Sequence, residues 1–321
     1  MKLKIAGTAV FIILAVLFLA VKLSSQTYSV SDENTYYKMG QLVALGMTPY
    51  NDFFFAHPPL QIYIYAVVFL FFGFNLGILK FISALTAVVA GYFIFRMLNE
   101  KSEVAAMIGT SLFFFTHSVL LFTTFPTGTE FVMMFSVAGY YYFHKSRYLA
   151  SGVLLGLGAI SGLLALVPAA VIGTWILIKN VLELRKFILG FAIVVIPVTA
   201  LFILITKGAY ITQTLLFNLL KPDDVIDKAE IISRVLARNW LLLAFAATVI
   251  FAKGKLTCRI SVPFAIIILY AAAFSVMGIV FDYYSLAVIP FLTIIAAQGI
   301  AGTVQTFKLK KAIAFSAVAL A

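Results

Sequence analysis

Apolar runs of about 20 residues recur from one end of the chain to the other, separated by short polar breaks that carry most of the charge. They fall at 5–23, 58–75, 76–97, 104–122, 127–143, 149–163, 165–179, 187–206, 238–253, 260–280, 284–304 and 311–321. A helix rises 1.5 Å per residue and needs about 20 residues to cross about 30 Å of hydrocarbon. The pattern therefore predicts an all-α fold, a polytopic membrane helical bundle forming one domain over 1–321. Residues 1–23, "MKLKIAGTAVFIILAVLFLAVKL", begin like a secretory signal. The run is as long as a full span and no A-x-A-like cleavage site follows, so a retained first helix is expected. The last run, "AIAFSAVALA" after Lys311, is too short to span. It is expected to be truncated or to pack as a half-helix, with no soluble carboxy-terminal domain after it.

Composition agrees with the pattern: 63% of residues are hydrophobic, 11% are charged and the mean hydropathy is +1.09. A soluble globular class is excluded. Cys258 is the only cysteine, which removes a disulfide framework and a cysteine-based metal cluster. The net charge of +11 sits in short loops and reads as a topology signal, with no nucleic acid implied. Counting 58–75 as a full span would put five basic clusters, among them Arg96/Lys101 and Lys308/Lys310/Lys311, on the opposite side from Lys2 and Lys4. Reading 58–75 as a juxtamembrane or re-entrant helix returns all five to the cytoplasm and leaves about 11 transmembrane helices. The outer side then receives 24–75, the turn at 123–130, the loop 207–237 and the turn 281–284. Nine of the 12 acids follow, leaving Glu100, Glu103 and Glu183 inside. Chemistry is therefore expected at the extracytoplasmic face of a multi-pass cell-membrane protein.

No G-x-G-x-x-G, Walker A or D-x-D pattern occurs, so nothing marks a nucleotide-phosphate cradle. An activated donor would have to arrive by another route, and a lipid carrier reaches this side of the membrane naturally. In the first outer loop, "DENTYYKMGQLVALGMTPYNDFFFAHPPLQIYIYAVVFLFFGFN" (32–75), a short helix is expected from about Glu33 to Leu45, capped by Ser31 or Asp32 and closed near Gly46. Asp32 at a helix N-terminus is stabilised in its ionised form, which suits a proton acceptor or a metal ligand. A plain N-cap is the competing reading.

Asp-Glu followed by Tyr, a Gly-x-x-Pro-Tyr turn, His-Pro-Pro-Leu and an aromatic stretch ending in Phe-Gly resemble the first outer loop of the GT-C glycosyltransferases. Within these, the chain is most similar to the dolichyl-phosphate-mannose protein mannosyltransferase and lipid A aminoarabinose transferase families. The likeness continues at "FPTGTEFVMMFSVAGYYYFH" (125–144), "SGVLLGLGAISGLLALVPAA" (151–170) and "FDYYSLAVIPFLTIIAAQGI" (281–300). It implies an inverting transfer of a hexosyl or pentosyl group from a polyprenyl- or dolichyl-phosphate carrier to a protein, lipid or glycan acceptor. Under it Asp32 is the general base, Glu33 the neighbouring acid and Glu130 the second acid. His57, Lys38, Tyr36, Tyr50, Arg234, Arg238, Tyr283 and Tyr284 contact substrate. If a divalent metal takes part, Asp32, Glu130 and His57 are its candidate ligands; no other cofactor is implied. Partners are the lipid-linked donor, membrane lipids and an unidentified acceptor.

The leaving phosphate needs cations outside, and His57, Lys38, Lys80, Lys207, Lys221, Lys228, Arg234 and Arg238 are available. Arg234 and Arg238 are four apart and share a helical face, as a phosphate clamp or as an interfacial pair meeting lipid headgroups. Relatives carry a lysine just after the Gly-rich helix; this chain has Ser161 and Gly162 there. Gly152, Gly156, Gly158 and Gly162 form small-xxx-small faces suited to close helix packing. His117 is expected to make an interhelical hydrogen bond. A transporter or flippase of polyprenyl-linked sugars and an inactive GT-C-like scaffold are the alternatives.

Overall fold

The computed structural model describes residues 2–24, 32–220, 228–251 and 258–306. Ser31, Lys221 and the run 311–321, all named above, lie outside them. The described residues form α1 (Lys2–Ser24), α2 (Asp32–Ala44), α3 (Leu60–Phe72), α4 (Leu76–Asn99), α5 (Glu103–Phe115), α6 (His117–Phe122), α7 (Thr129–His144) and α8 (Tyr148–Ala159). There follow α9 (Leu166–Lys179), α10 (Val181–Ile205), α11 (Ala209–Ile211), α12 (Phe217–Leu220), α13 (Lys228–Arg238), α14 (Trp240–Ala247), α15 (Cys258–Val276) and α16 (Ser285–Thr306). Short 3₁₀ turns at Leu163–Ala165 and Asp282–Tyr284 lead into α9 and α16.

Among the described residues, four segments are long and apolar enough to cross a membrane, or five if α13 and the helix after it, bent by 74°, count as one span. These lengths do not establish the expected count of about 11, because several apolar runs are broken into shorter pieces. The run 104–122, for example, divides at Thr116, whose extended backbone (ψ 145°) separates α5 from α6. The membrane helices differ in depth within the bundle: 61% of the Asp282–Thr303 segment is buried against 11% of α10. The helix carrying Tyr283 and Tyr284 is thus central and α10 is peripheral.

Two glycines bring α8 and α10 into backbone contact. A Cβ on Gly152 would lie 2.1 Å from the carbonyl oxygen of Phe187, and one on Gly190 would lie 2.2 Å from that of Leu149. The small-residue face read from sequence is therefore a packing face. The short α2 and α3 cross at another such contact, where a Cβ on Gly40 would lie 2.8 Å from that of Tyr65. Their shared aromatic core includes Tyr36, Tyr50, Phe55, Tyr65 and Phe69, apart from the main core of the bundle.

Candidate functional site

Asp32 opens α2 as expected, with Gly46 in the left-handed region (φ 89°) just past its end. Asp32 is exposed, and its Oδ2 accepts a hydrogen bond of 3.0 Å from the hydroxyl of Tyr283, 251 residues away in sequence. The Tyr283 ring stacks on Phe281 (centroids 5.1 Å apart, planes 6° apart) and meets Phe122 edge-on at 6.5 Å. The phenol is therefore aimed by its walls. Glu33 points elsewhere: it is fully buried and pairs at 2.8 Å with Lys80 of α4, also fully buried, whose ammonium lies 5.3 Å from the Phe125 ring centroid. Lys80, counted above among cations for a phosphate, already holds this carboxylate.

Glu130, in the first turn of α7, meets Ser83, which lies one turn along α4 from Lys80. Glu130 is fully buried, and its Oε1 accepts from Tyr65 Oη at 2.8 Å and Ser83 Oγ at 3.1 Å. Gln61 donates to Tyr65 Oη and to the carbonyl of Pro126, both at 3.3 Å, tying α3 to the turn before α7. Lys22 at the end of α1 grips the other side of that turn, donating to the carbonyl of Leu120 and to Thr124 Oγ1. The turn 123–129 is thus folded inward, with Thr123, Thr124, Thr127 and Thr129 all buried. Asp32 and Glu130 are joined through Glu33, Lys80 and Ser83, and only Asp32 is exposed.

The Gly-x-x-Pro-Tyr turn shapes the third part. Tyr50 adopts φ 70°, a conformation that bulky residues rarely take, and several contacts hold it there. Its hydroxyl donates to the carbonyl of His57 at 2.7 Å, its own carbonyl accepts from Gln213, and its ring packs on Phe202 and Tyr210. Tyr50 thereby sets the backbone of His57, whose Nε2 lies 2.7 Å from Tyr36 Oη. Burial, and after it the negative charge of Asp32, pushes the Tyr36 hydroxyl far above the ordinary tyrosine range, so this phenol keeps its proton.

Arg234 and Arg238 do share a face, and the acid they meet is Asp282, at 3.5 and 3.4 Å. Glu230 lies 4.0 Å from Arg234 at the rim. Behind them is an apolar cavity of about 250 Å³ between α13, α14, α15 and α16, with Tyr284 and Phe281 in its wall. Lys38 is exposed on α2. Among the described residues no group of three His, Cys, Asp or Glu side chains could hold a metal. Asp32, Glu130 and His57 bond instead to Tyr283, Tyr65 and Tyr36 separately, so the three do not form a ligand set.

His117 is corrected: it is exposed, and the interhelical bond is made by the next residue, Ser118, to Asn239. Sequence reasoning also missed Tyr65, Ser83 and Lys22. Nothing in their neighbourhoods marks them, since each acts on a partner at least 47 residues away.

With this geometry, two solved structures superpose on more than nine-tenths of the chain. Its fold is similar to that of ArnT. The structure of ArnT from Cupriavidus metallidurans bound to undecaprenyl phosphate matches with a TM-score of 0.73 at 15% sequence identity, over 92% of this chain and 60% of that one. The apo form of the same ArnT matches with a TM-score of 0.73 at 14% identity, over 93% and 60%. The chain thus spans 60% of the length of the ArnT chains it resembles. No family model matches it, and neither does any curated protein.

Proposed function

We propose that the chain is a membrane glycosyltransferase that moves a sugar from a polyprenyl-phosphate carrier to an acceptor hydroxyl at the extracytoplasmic face. The observation that carries this reading is the placing of Asp32. One exposed carboxylate stands at a helix N-terminus, fixed by Tyr283, while the residue before that tyrosine, Asp282, binds two guanidinium groups beside an apolar cavity. The ArnT fold supports it, since that protein was crystallised with undecaprenyl phosphate. The alternatives of transport or scaffolding need no oriented carboxylate.

In the proposed reaction the acceptor oxygen attacks the anomeric carbon from the side opposite the phosphate, and its proton passes to Asp32. The bond between the anomeric carbon and the phosphate oxygen breaks, the electron pair leaves with the lipid phosphate, and the configuration inverts. Asp32 needs a geometry that holds one oxygen toward the acceptor, and the Tyr283 bond to Oδ2 leaves Oδ1 for that role. Arg234 and Arg238 carry five N–H donors each, more than Asp282 can use, so donors remain for a phosphate. His57, held by Tyr50 and Tyr36, adds a further donor. Glu33 and Glu130 support this arrangement from buried positions, and Tyr284 borders the space for the prenyl chain.

The test is transfer from radiolabelled polyprenyl-phosphate sugars by the purified protein in membranes. Asp32→Asn keeps the shape and caps a helix about as well. Its turnover is expected to fall by about 10²–10⁴ with unchanged folded yield. Near-normal transfer by Asp32→Asn would refute the base assignment. Carrier movement across vesicles without any sugar transfer would establish transport instead.

A further inference from the structure

Two helix breaks, α5–α6 and α13–α14, meet at one buried side chain, Asn239, which joins α13 to α14. Its Oδ1 accepts from the backbone N–H of Ser118 at 3.2 Å and from Thr116 Oγ1 at 3.4 Å. Its Nδ2 donates to the carbonyl of Val235 at 2.7 Å and to Ser118 Oγ at 2.9 Å. Ser118 Oγ also accepts from Ser285 Oγ at 2.9 Å. The amide has one workable orientation, because a flip would set its N–H groups against the Ser118 N–H and its oxygen against a carbonyl. Asn239 is 3% exposed, Ser118 1% and Ser285 6%, so water does not replace these bonds.

Each arm of this knot ends at Tyr283. Ser118 lies in α6, whose far end supplies Phe122 to the edge of the Tyr283 ring. Ser285 follows the Asp282–Tyr284 turn directly, and Arg238, the residue before Asn239, binds Asp282 from the other side. We infer that Asn239 is a positioning residue: through Ser118 and Ser285 it fixes the turn that holds the Tyr283 hydroxyl on Asp32. The inference rests on the proposed transferase reading for its effect on rate. Its structural content, the coupling of the α13–α14 bend to the Tyr283 turn, is tested separately.

Asn239→Leu keeps the volume and removes all four amide bonds; Ser285→Ala removes only the link to α16 and serves if the first variant folds poorly. Turnover of Asn239→Leu is expected to fall by about 10–100-fold with the donor KM nearly unchanged, because small misplacements near a reacting group act on the chemical step. Combining it with Tyr283→Phe is expected to add little to the larger single loss, since both act through one bond. Spin labels at Thr35 and Ile279, with Cys258 replaced, read the distance between α2 and the Tyr283 turn without any assay. Both knot variants are expected to broaden that distance distribution. An unchanged distribution, or losses that multiply fully in the double variant, would overturn the inference. If the wild type transfers no sugar, the spectroscopic arm still decides the coupling, and only the transferase reading falls.

Discussion

Successive residues on a helix are rotated by about 100°, and at the start of α2 that rotation gives two adjacent carboxylates opposite surroundings. Asp32 faces out to Tyr283, and Glu33 faces in to Lys80. The inward phase was legible in the sequence as the spacing Glu33, Tyr36, Gly40, all buried. The partner was not, because no local rule connects Glu33 to a lysine 47 residues on. The pair has a testable energetic signature. Lys80→Met removes the cation paired with a buried carboxylate and is expected to destabilise the protein by about 3–5 kcal/mol. Adding Glu33→Gln should recover most of that loss, because the pair is then replaced by neutral groups of similar size. Thermal unfolding of the single and double variants in lipid nanodiscs measures it. A double variant as unstable as Lys80→Met alone would remove the ion pair as the reason for burying Glu33.

At the scale of elements, the signals that survive from sequence to structure are those carried by single chain segments. The helix 32–44, its closing glycine and the small-residue face of α8 all depend on neighbours within one or two turns. The bends do not: the break at Thr116 lies inside the run 104–122, which reads as continuous, the 74° turn after Arg238 falls at the start of the run 238–253, and a buried cross-link from Asn239 to Ser118 joins the two. Two glycines separate packing from backbone conformation. Gly46 has open space around it but φ 89°, so Gly46→Ala is expected to cost about 1–2 kcal/mol. Gly152 is an ordinary helical residue whose added Cβ would meet backbone at 2.1 Å, which nothing but separation of α8 from α10 relieves. Gly152→Ala is therefore expected to lower the unfolding temperature further than Gly46→Ala does. The reverse order would mean that the α8–α10 contact is not a determinant of stability.

For the whole molecule, the arrangement rests on whether α3 crosses the membrane. Alternation of basic loops argues that it does not, and the structure contributes two supporting observations. α3 has 13 residues, which at 1.5 Å each reach about 20 Å, two-thirds of the hydrocarbon thickness. Adjacent residues of α2 also touch both of its flanks: Tyr36 Oη meets His57 before it, and Tyr37 Oη donates to the carbonyl of Phe74 beyond it. A helix leaving for the other membrane face would carry Phe74 away from α2. We therefore expect Asn75, exposed at the cap of α4, to lie on the same outer face as Asp32, and Lys101, exposed past the other end of α4, to lie in the cytoplasm. Single cysteines at these two positions, in a chain with Cys258 replaced, should react oppositely with a membrane-impermeant maleimide in intact cells: Asn75→Cys labelled, Lys101→Cys protected until the membrane is opened. Protection at 75 with labelling at 101 would invert α4 relative to the basic loops. It would mean either that α3 crosses and separates Asn75 from the face that carries Asp32, or that the whole bundle is inverted, with the Asp32 carboxylate on the cytoplasmic side, where a donor carried on an outward-facing lipid could not reach it.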